Sequence, residues 1–228
     1  MSDKIPFSGT LFCDVDGVIC NLVEAVLARF AHALSLYVPV EAITQWNVPA
    51  AIGEYLLKRG EGHSRLLLER FVATLFDDHR FMAACLPHLD MLVALQGWKR
   101  VSPGVLQLVT ARPGGLKDTT RTWLNNYGFG DCQITHEARK LDYFRQVQGS
   151  RVPLFSRPWL VLEDNVETVL DLNRAFREWG IDDRARALLV ARPWNRADAA
   201  AHGLLRYTAR EIADELGLDS SVLLPEED

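Results

Sequence analysis

The sequence predicts an α/β protein with a doubly wound, Rossmann-like parallel sheet and a helical region inserted after the first strand. Apolar runs without polar alternation recur along the chain, as is typical of parallel strands that are buried on both faces. Segments with apolar residues at helical spacing separate most of these runs and supply the crossovers that parallel strands need. One helical region of about 80 residues is too long to be a loop, so we expect it to form a cap beside the strand ends.

The first predicted strand covers about 9–14 and contains the apolar run TLFC. A helix follows at about 20–36, with apolar residues at helical spacing, and Pro39 ends it. The pattern then predicts only helix from about 50 to 99, with no convincing strand. We therefore expect residues 21–99 to form the helical cap.

Strand character returns after Gly104. The later predicted strands cover about 105–109, 132–135, 159–162 and 187–190. The helices between them are predicted at about 116–127, from Lys140 onward, and up to about 179. Residues 1–20 and 100–228 are therefore expected to form the α/β core.

Composition narrows the functions that the chain can have. Of its 228 residues, 48% are hydrophobic and 24% are charged, which is ordinary for a globular protein. The net charge of −5 and the lack of a long basic run argue against binding of long nucleic acid, although a small nucleotide substrate stays open. The N-terminus is too polar to predict a signal peptide. The apolar stretches are all too short to predict a membrane span. Four scattered cysteines favour free thiols and a cytoplasmic location. The oligomeric state cannot be predicted.

The most informative motif is Asp14-Val15-Asp16-Gly17, directly after the first predicted strand. In an open α/β sheet, ligands bind at the carboxyl ends of the strands. Two carboxylates this close repel each other unless a cation, a proton or a basic group joins them. The motif therefore predicts a metal site that also offers a nucleophile and an acid/base, whereas the alternative is an ordinary Asp-rich turn.

Further polar residues follow the later strands or begin the next helix, namely Thr110, Lys140, Glu163 and Asp164. Taken alone, Thr110 could cap a helix, Lys140 could lie on the surface, and Asp164 could form an N-cap turn. Taken together, these residues would all face one crevice. Several carboxylates, a hydroxyl and an ammonium group there would suit a divalent cation and an anionic substrate.

The segments FCDVDGV, LVTARP and LVLEDN, with Lys140 between the last two, resemble the four motifs of the haloacid dehalogenase (HAD) superfamily, specifically its phosphatase branch. Their order and spacing match: 96 residues separate Asp14 from Thr110, 30 separate Thr110 from Lys140, and 24 separate Lys140 from Asp164. The predicted helical insertion occupies the position of the superfamily's type-one cap.

The resemblance implies a role for each motif residue. Asp14 would be the nucleophile that forms an aspartyl-phosphate, and Asp16 would protonate the leaving alcohol and then activate water. Mg²⁺ would be held by the carboxylates of Asp14 and Asp164 and by the backbone carbonyl of Asp16. Thr110 would hydrogen-bond a phosphate oxygen, and Lys140 would pair with Asp14 and with the phosphate.

Asp16 distinguishes a phosphatase from the dehalogenases of the same superfamily, which lack an acid/base at that position because a halide leaving group needs no proton. Two details depart from the common pattern. Glu163 precedes Asp164, and we expect it to lie beside the metal rather than to bind it. Arg139 could take the place of Lys140 if the helix began one residue earlier.

Val18, the position of the cap and the late segment RPWN are similar to the 5′(3′)-deoxyribonucleotidase family, which implies a (deoxy)nucleoside monophosphate as substrate. Trp46, in a polar loop of the cap, is the best candidate for a contact with the base. Ala111 and Arg112 follow the second motif and are expected to bind the substrate. Arg65 of the cap could meet a second anionic group.

Other functions stay open. The same site could hydrolyse a sugar phosphate or the 3′-phosphate end of a nucleic acid, although the acidic net charge disfavours a long polymer. A phosphoacceptor signalling domain also uses acidic residues, a Thr and a Lys at strand ends, but it carries no large insertion before the Thr. A partner-binding protein without catalysis is least favoured, because every catalytic position is filled.

Overall fold

The structure is a computed structural model that describes residues 5–61, 64–150 and 157–219. In these residues six strands form one sheet in the order β3-β2-β1-β4-β5-β6, and every neighbouring pair is parallel. The strands are β1 (Thr10–Cys13), β2 (Val105–Thr110), β3 (Gln133–His136), β4 (Trp159–Glu163), β5 (Ala185–Val190) and β6 (Arg206–Tyr207). This topology confirms the predicted doubly wound core.

Helices connect the strands, and the described insertion between β1 and β2 is helical, as predicted. The helices of this insertion are α1 (Leu22–Leu34), α2 (Val48–Lys58), α3 (Arg65–Phe76), α4 (His79–Ala84) and α5 (Leu89–Val101). The later helices are α6 (Lys117–Asn126), α7 (Lys140–Gln148), α8 (Val166–Glu178), α9 (Arg196–Ala201) and α10 (Ala209–Glu215). Short 3₁₀ turns occupy Val40–Ala42, Gly114–Leu116 and Pro193–Asn195.

The helical region predicted over about 50–99 consists of several helices, and Asp78 starts α4 by accepting hydrogen bonds from the backbone N–H groups of Arg80 and Phe81. The elements after β5 differ from the sequence prediction, which included neither α9 nor α10. The edge strand β6 was not predicted. Its two residues pair with the end of β5, and two residues are too few to show any periodicity.

The register of the sheet aligns the ends of its central strands. Cys13, the last residue of β1, pairs with Leu108 of β2 and with Leu162 of β4. The next residue, Asp14, still donates its backbone N–H to the Leu162 carbonyl at 3.0 Å. Because parallel strands end at the same edge, the residues that follow β1, β2 and β4 are brought to one place.

Alternate residues of β1 reach two different apolar clusters. Phe12 packs with Phe144 of α7 and with Trp159, and its ring lies 4.9 Å from that of Phe144 in an edge-to-face arrangement. Leu11 and Cys13 pack into the other cluster, which includes residues of the insertion and of α10. The sheet is therefore covered on both faces, which explains the uninterrupted apolar sequence of its strands.

The last helix of the insertion lies against the core. Helix α5 packs on α10, and the indole N–H of Trp98 in α5 donates to the Phe7 carbonyl at 2.9 Å. The division into a core of residues 1–20 and 100–228 and a cap of residues 21–99 stays a prediction. Within the described residues, no helix has both the length and the apolar character that crossing a membrane requires.

Phe144 offers a test of the packing below the sheet. The side chain is fully buried among the aromatic rings of its cluster. We expect Phe144→Ala to lower the free energy of unfolding by about 3–5 kcal/mol, because it removes apolar contact and leaves a cavity. Leu67→Ala, at a side chain that is 64% exposed, should change it by less than about 0.5 kcal/mol. Urea denaturation measures both, and equal losses would contradict the packing.

Candidate active site

Asp14 lies at the carboxyl end of β1 and is almost completely buried. Its Oδ1 accepts a hydrogen bond from the Val15 backbone N–H at 2.7 Å. Its Oδ2 lies 2.6 Å from the Nζ of Lys140. The carboxylate is therefore held in one orientation by two contacts.

Lys140 is the first residue of α7, and its ammonium group is buried between two carboxylates. Nζ lies 2.6 Å from Asp14 and 2.6 Å from Glu163. Burial alone lowers the pKa of Lys140, but the two carboxylates outweigh burial and hold this pKa above its usual value. The preceding Arg139 is exposed and pairs with Asp142 at 2.9 Å, so the structure brings Lys140, and not Arg139, to Asp14.

Glu163 is the last residue of β4, Asp164 follows it, and the two carboxylates differ in the partners of their oxygens. Glu163 has partners at both oxygens: Oε2 bonds Lys140, and Oε1 accepts from the backbone N–H groups of Asp164 and Asn165, each at 3.1 Å. Asp164 Oδ2 accepts from the Trp194 indole N–H at 2.8 Å. Its other oxygen, Oδ1, is buried and has no hydrogen-bond partner among the described residues.

The carboxylates of Asp14, Glu163 and Asp164 form one buried acidic cluster, with an oxygen of each lying within 4.8 Å of the others. Burial raises the pKa of Asp14 to about 8, and burial together with the neighbouring carboxylates raises that of Asp164. Three carboxylates face the single ammonium of Lys140, so two negative charges are uncompensated when all are ionised. The unpartnered Asp164 oxygen and the all-oxygen donor set fit a hard divalent cation such as Mg²⁺.

Asp16 is engaged by a buried guanidinium group. Arg112 Nε donates to both Asp16 oxygens, at 3.0 and 2.9 Å, and Nη2 donates to Oδ1 at 2.6 Å. The same guanidinium lies over the Trp123 ring, 5.6 Å from its centre. Burial alone would lower the pKa of Arg112, but the contact with Asp16 outweighs the effect of burial and raises this pKa above its usual value. The pair is therefore a stable contact between the loops that follow β1 and β2.

The remaining predicted substrate residues are distributed around this centre. Thr110 is fully buried, and its hydroxyl accepts from the Arg112 backbone N–H at 3.2 Å, within the loop that follows β2 and not at the start of a helix. Trp46 and Ala111 line a cavity of about 390 Å³ whose floor includes Asp14 and Asp16. Arg65 does not line this cavity. It lies on an exposed helix surface and pairs with Glu69 at 2.8 Å.

The segment that follows β5 contributes contacts whose roles were not predicted. Arg192 donates to the Gly17 carbonyl at 2.6 Å and to the Val18 carbonyl at 3.0 Å. Asn195 donates to the Asp164 carbonyl at 2.9 Å. The signal in the sequence was the polar segment RPWN at a strand end, but a buried arginine that binds backbone carbonyls has no signature of its own. These residues fix the loop after β1 against the loop after β4.

Gly17 allows the loop after β1 to approach Asp164. Its φ of 76° is in the left-handed region, and a Cβ atom at this position would lie 2.0 Å from Asp164 Oδ2. Both facts require glycine at this position.

No protein-family model matches the sequence, and no curated protein matches it. Solved structures are similar in fold. A haloacid dehalogenase-like family hydrolase from Streptococcus pneumoniae has a TM-score of 0.56 at 13% identity, over 91% of this chain and 97% of that chain. A protein from Burkholderia xenovorans assigned as a haloacid dehalogenase-like hydrolase has a TM-score of 0.53 at 14% identity, over 96% and 100%. The Mycobacterium tuberculosis Protein Tyrosine Kinase A has a TM-score of 0.54 at 17% identity, over 95% and 100%.

These likenesses show that the chain has the fold of the HAD-like hydrolases, with the helical insertion after β1. They do not identify a substrate, since one of the similar structures is named as a kinase and two as hydrolases. A fold of this kind supports several chemistries, so the function depends on the site residues.

A pair of glycines tests the close approach at Gly17. Gly17 and Gly60 have the same φ of 76°, but a Cβ at Gly60 would meet nothing within 4 Å. Gly60→Ala should therefore lower the free energy of unfolding only by the backbone strain, about 1–2 kcal/mol. Gly17→Ala should lower it by more, because the added Cβ atom also clashes with Asp164. Chemical denaturation of both variants measures the difference, and equal losses would show that the loop tolerates a side chain at Gly17.

The acidic cluster predicts stabilisation by Mg²⁺. A cation that binds only the folded protein at 100 times its Kd stabilises it by about 2.7 kcal/mol. We expect this shift in thermal denaturation of the wild-type protein and of Asp171→Asn, an exposed control. Asp164→Asn should lose it, because the variant removes one of the carboxylates that would bind the cation. A shift of the same size in Asp164→Asn would exclude this site.

The same cluster predicts a pH dependence. The pKa of Asp14 is raised from 3.8 to about 8 on folding, so without metal the folded state binds more protons than the unfolded state between these values. The free energy of unfolding should therefore fall as pH rises from about 4 to 8. Since Mg²⁺ and the proton compete for Asp14, the stabilisation by Mg²⁺ should grow over the same range. Denaturation curves at several pH values, with and without Mg²⁺, measure both trends, and a Mg²⁺ effect independent of pH would contradict them.

Proposed function

We propose that the protein is a Mg²⁺-dependent phosphomonoesterase that acts through an aspartyl-phosphate on Asp14. The observation that carries this proposal is the buried arrangement of Asp14, Lys140 and Asp164. One carboxylate is held at 2.6 Å from an ammonium group, beside a second carboxylate with an unpartnered oxygen. Such a site suits an anionic substrate that a lone carboxylate would repel.

Asp14 would act as the nucleophile. An oxygen of its carboxylate forms a bond to phosphorus while the bond from phosphorus to the ester oxygen breaks, and the alcohol leaves with a proton from Asp16. Water then attacks the phosphorus atom, gives a proton to Asp16 and releases phosphate, which restores Asp14. Lys140 remains charged throughout, because its two carboxylate partners hold its pKa above the usual value. It neutralises part of the negative charge that gathers on the phosphoryl oxygens.

Asp14 and Asp164 are the carboxylates that would hold Mg²⁺. Glu163 has hydrogen-bond partners at both oxygens, so we assign to it the positioning of Lys140 and of the backbone after β4. The cation would neutralise the two charges that Lys140 leaves uncompensated and would polarise a phosphoryl oxygen.

The contact between Arg112 and Asp16 favours a second candidate function. Both oxygens of Asp16 accept hydrogen bonds from the guanidinium, so neither is free to contact the oxygen of a leaving alcohol. A phosphatase would have to loosen this contact when substrate binds. A dehalogenase that attacks a carbon–halogen bond with Asp14 would not, because halide leaves without a proton.

The resemblance in sequence implies a nucleoside monophosphate as the ester, and sugar phosphates or 3′-phosphate ends are the alternatives. Trp46 and Phe76 line the cavity beside Asp14 and supply the aromatic surfaces on which a base would stack. Ala111 and Arg112 also line it. Thr110 is fully buried and is not among the residues that line this cavity, so its predicted contact with phosphate would require its hydroxyl to turn toward the cavity.

The proposal is tested by hydrolysis of an aryl phosphate. We expect Mg²⁺-dependent release of phosphate, and we expect Asp14→Asn to lower kcat by at least about 1,000-fold, because it removes the nucleophile. The variant should fold, since it removes one of several buried like charges. Asp171→Asn, on the exposed surface of α8, should keep full activity.

Two results would contradict the proposal. Full activity in Asp14→Asn would exclude Asp14 as the nucleophile. Release of halide from 2-haloacids without Mg²⁺, in a protein that hydrolyses no phosphate ester, would favour the dehalogenase. In that case Asp16→Asn should leave halide release nearly unchanged, whereas a phosphatase should lose about 100-fold or more in kcat.

A further inference from the structure

We propose that the substrate is a phosphate monoester of a compact apolar alcohol, one that carries an aromatic or branched hydrocarbon group instead of a sugar. This inference rests on the proposed phosphatase function and concerns the group that leaves with the ester oxygen. It depends on the cavity of about 390 Å³ that opens from Asp14 and Asp16 toward the helices of the insertion.

The walls of this cavity are almost entirely apolar. Helices α1, α3 and α4 contribute only hydrocarbon, aromatic or thioether side chains, namely Leu22, Val23, Val26, Val72, Phe76 and Met82. Leu116, which is buried, continues the same surface on the side of the core. A leaving group in this space would contact apolar atoms on nearly every side, and such contact favours an apolar group.

Few polar groups are free to bind hydroxyls there. The charged side chains among the described lining residues are Asp14, Asp16 and Arg112, and the last two are bound to each other. Asn47 lines the cavity, and its Oδ1 accepts the Ala50 backbone N–H at 3.1 Å, so the uncharged polar groups that its lining side chains offer a ligand are the amide N–H groups of Asn47 and the indole N–H of Trp46. The hydroxyls of a sugar or ribose would leave water and find few partners, which disfavours these esters.

The size of the cavity limits the alcohol to a small one. Ligand sites in proteins span about 300–1,000 Å³, so this cavity is near the lower end. Trp46, which is 43% exposed, lines both this cavity and a smaller pocket of about 230 Å³ that includes Asp164, Glu167 and Asp198. The lining of that second pocket is more polar, so it is the larger cavity that favours an apolar alcohol.

The experiment compares phosphate esters of primary alcohols, so that the leaving groups have similar basicity. The full chain is assayed with Mg²⁺ on 2-phenylethyl phosphate, glucose 6-phosphate and thymidine 5′-monophosphate. We expect kcat/KM to be about 100-fold higher for 2-phenylethyl phosphate than for glucose 6-phosphate, with the nucleotide between them. The ratio for two substrates does not depend on the fraction of enzyme that is folded.

A matched pair of variants assigns the preference to the cavity. Val72→Thr places a hydroxyl in the wall and removes one methyl contact, which should lower the ratio of 2-phenylethyl phosphate to glucose 6-phosphate by about fourfold. Val101→Thr makes the same change at a side chain that is 58% exposed at the end of α5, and it should leave the ratio unchanged. Equal ratios in the two variants would overturn the assignment.

The outcomes separate this inference from the proposed function. If glucose 6-phosphate or the nucleotide is hydrolysed more efficiently than 2-phenylethyl phosphate, the apolar preference is wrong and the phosphatase proposal stands. If the aryl phosphate is hydrolysed with Mg²⁺ and none of the three esters is, the apolar preference is wrong and the phosphatase proposal stands. If neither the aryl phosphate nor any of the three esters is hydrolysed, the phosphatase proposal fails and the preference fails with it.

Discussion

The site depends on the buried ammonium of Lys140, which lies 2.6 Å from both Asp14 and Glu163. Without this charge, three buried carboxylates would lie within 4.8 Å of one another and could not all ionise. Lys140 leaves two negative charges uncompensated, and this remainder is what a divalent cation would neutralise. The ammonium is available only because α7 begins at Lys140 and directs this residue inward, while the neighbouring Arg139 stays at the surface.

The backbone around this charge is shaped by contacts between the strand ends. Gly17 allows the loop after β1 to lie against Asp164, and Arg192 binds the carbonyls of Gly17 and Val18. Trp194 occupies one oxygen of Asp164 and leaves the other without a partner. The polar groups are thereby concentrated at the edge of the sheet, whereas the insertion presents apolar side chains above it. Under the proposed function, the residues at the edge of the sheet would carry out the phosphate chemistry, and the apolar side chains of the insertion would select the alcohol.

The fold and the acidic centre could be predicted from the sequence because both leave local signals. Buried parallel strands are apolar nearly throughout, Asp14 and Asp164 each come directly after such a strand, and Glu163 ends one. The pairing of Asp16 with Arg112 could not be predicted, because it joins residues 96 positions apart through side-chain geometry. The role of Arg192 was missed for the same reason. Arg65 illustrates the converse: its charge suggested a substrate contact, but helical spacing pairs it with Glu69 on the surface.

Transfer of the phosphoryl group to Asp14 can be tested most directly by trapping the aspartyl-phosphate intermediate. Enzyme that is turning over an aryl phosphate with Mg²⁺ is quenched in acid and digested, and the peptide that contains Asp14 is examined by mass spectrometry. We expect one added phosphoryl group on Asp14, which disappears when the substrate is exhausted. An unmodified Asp14 in enzyme quenched during rapid turnover, or a phosphoryl group on another residue, would contradict it.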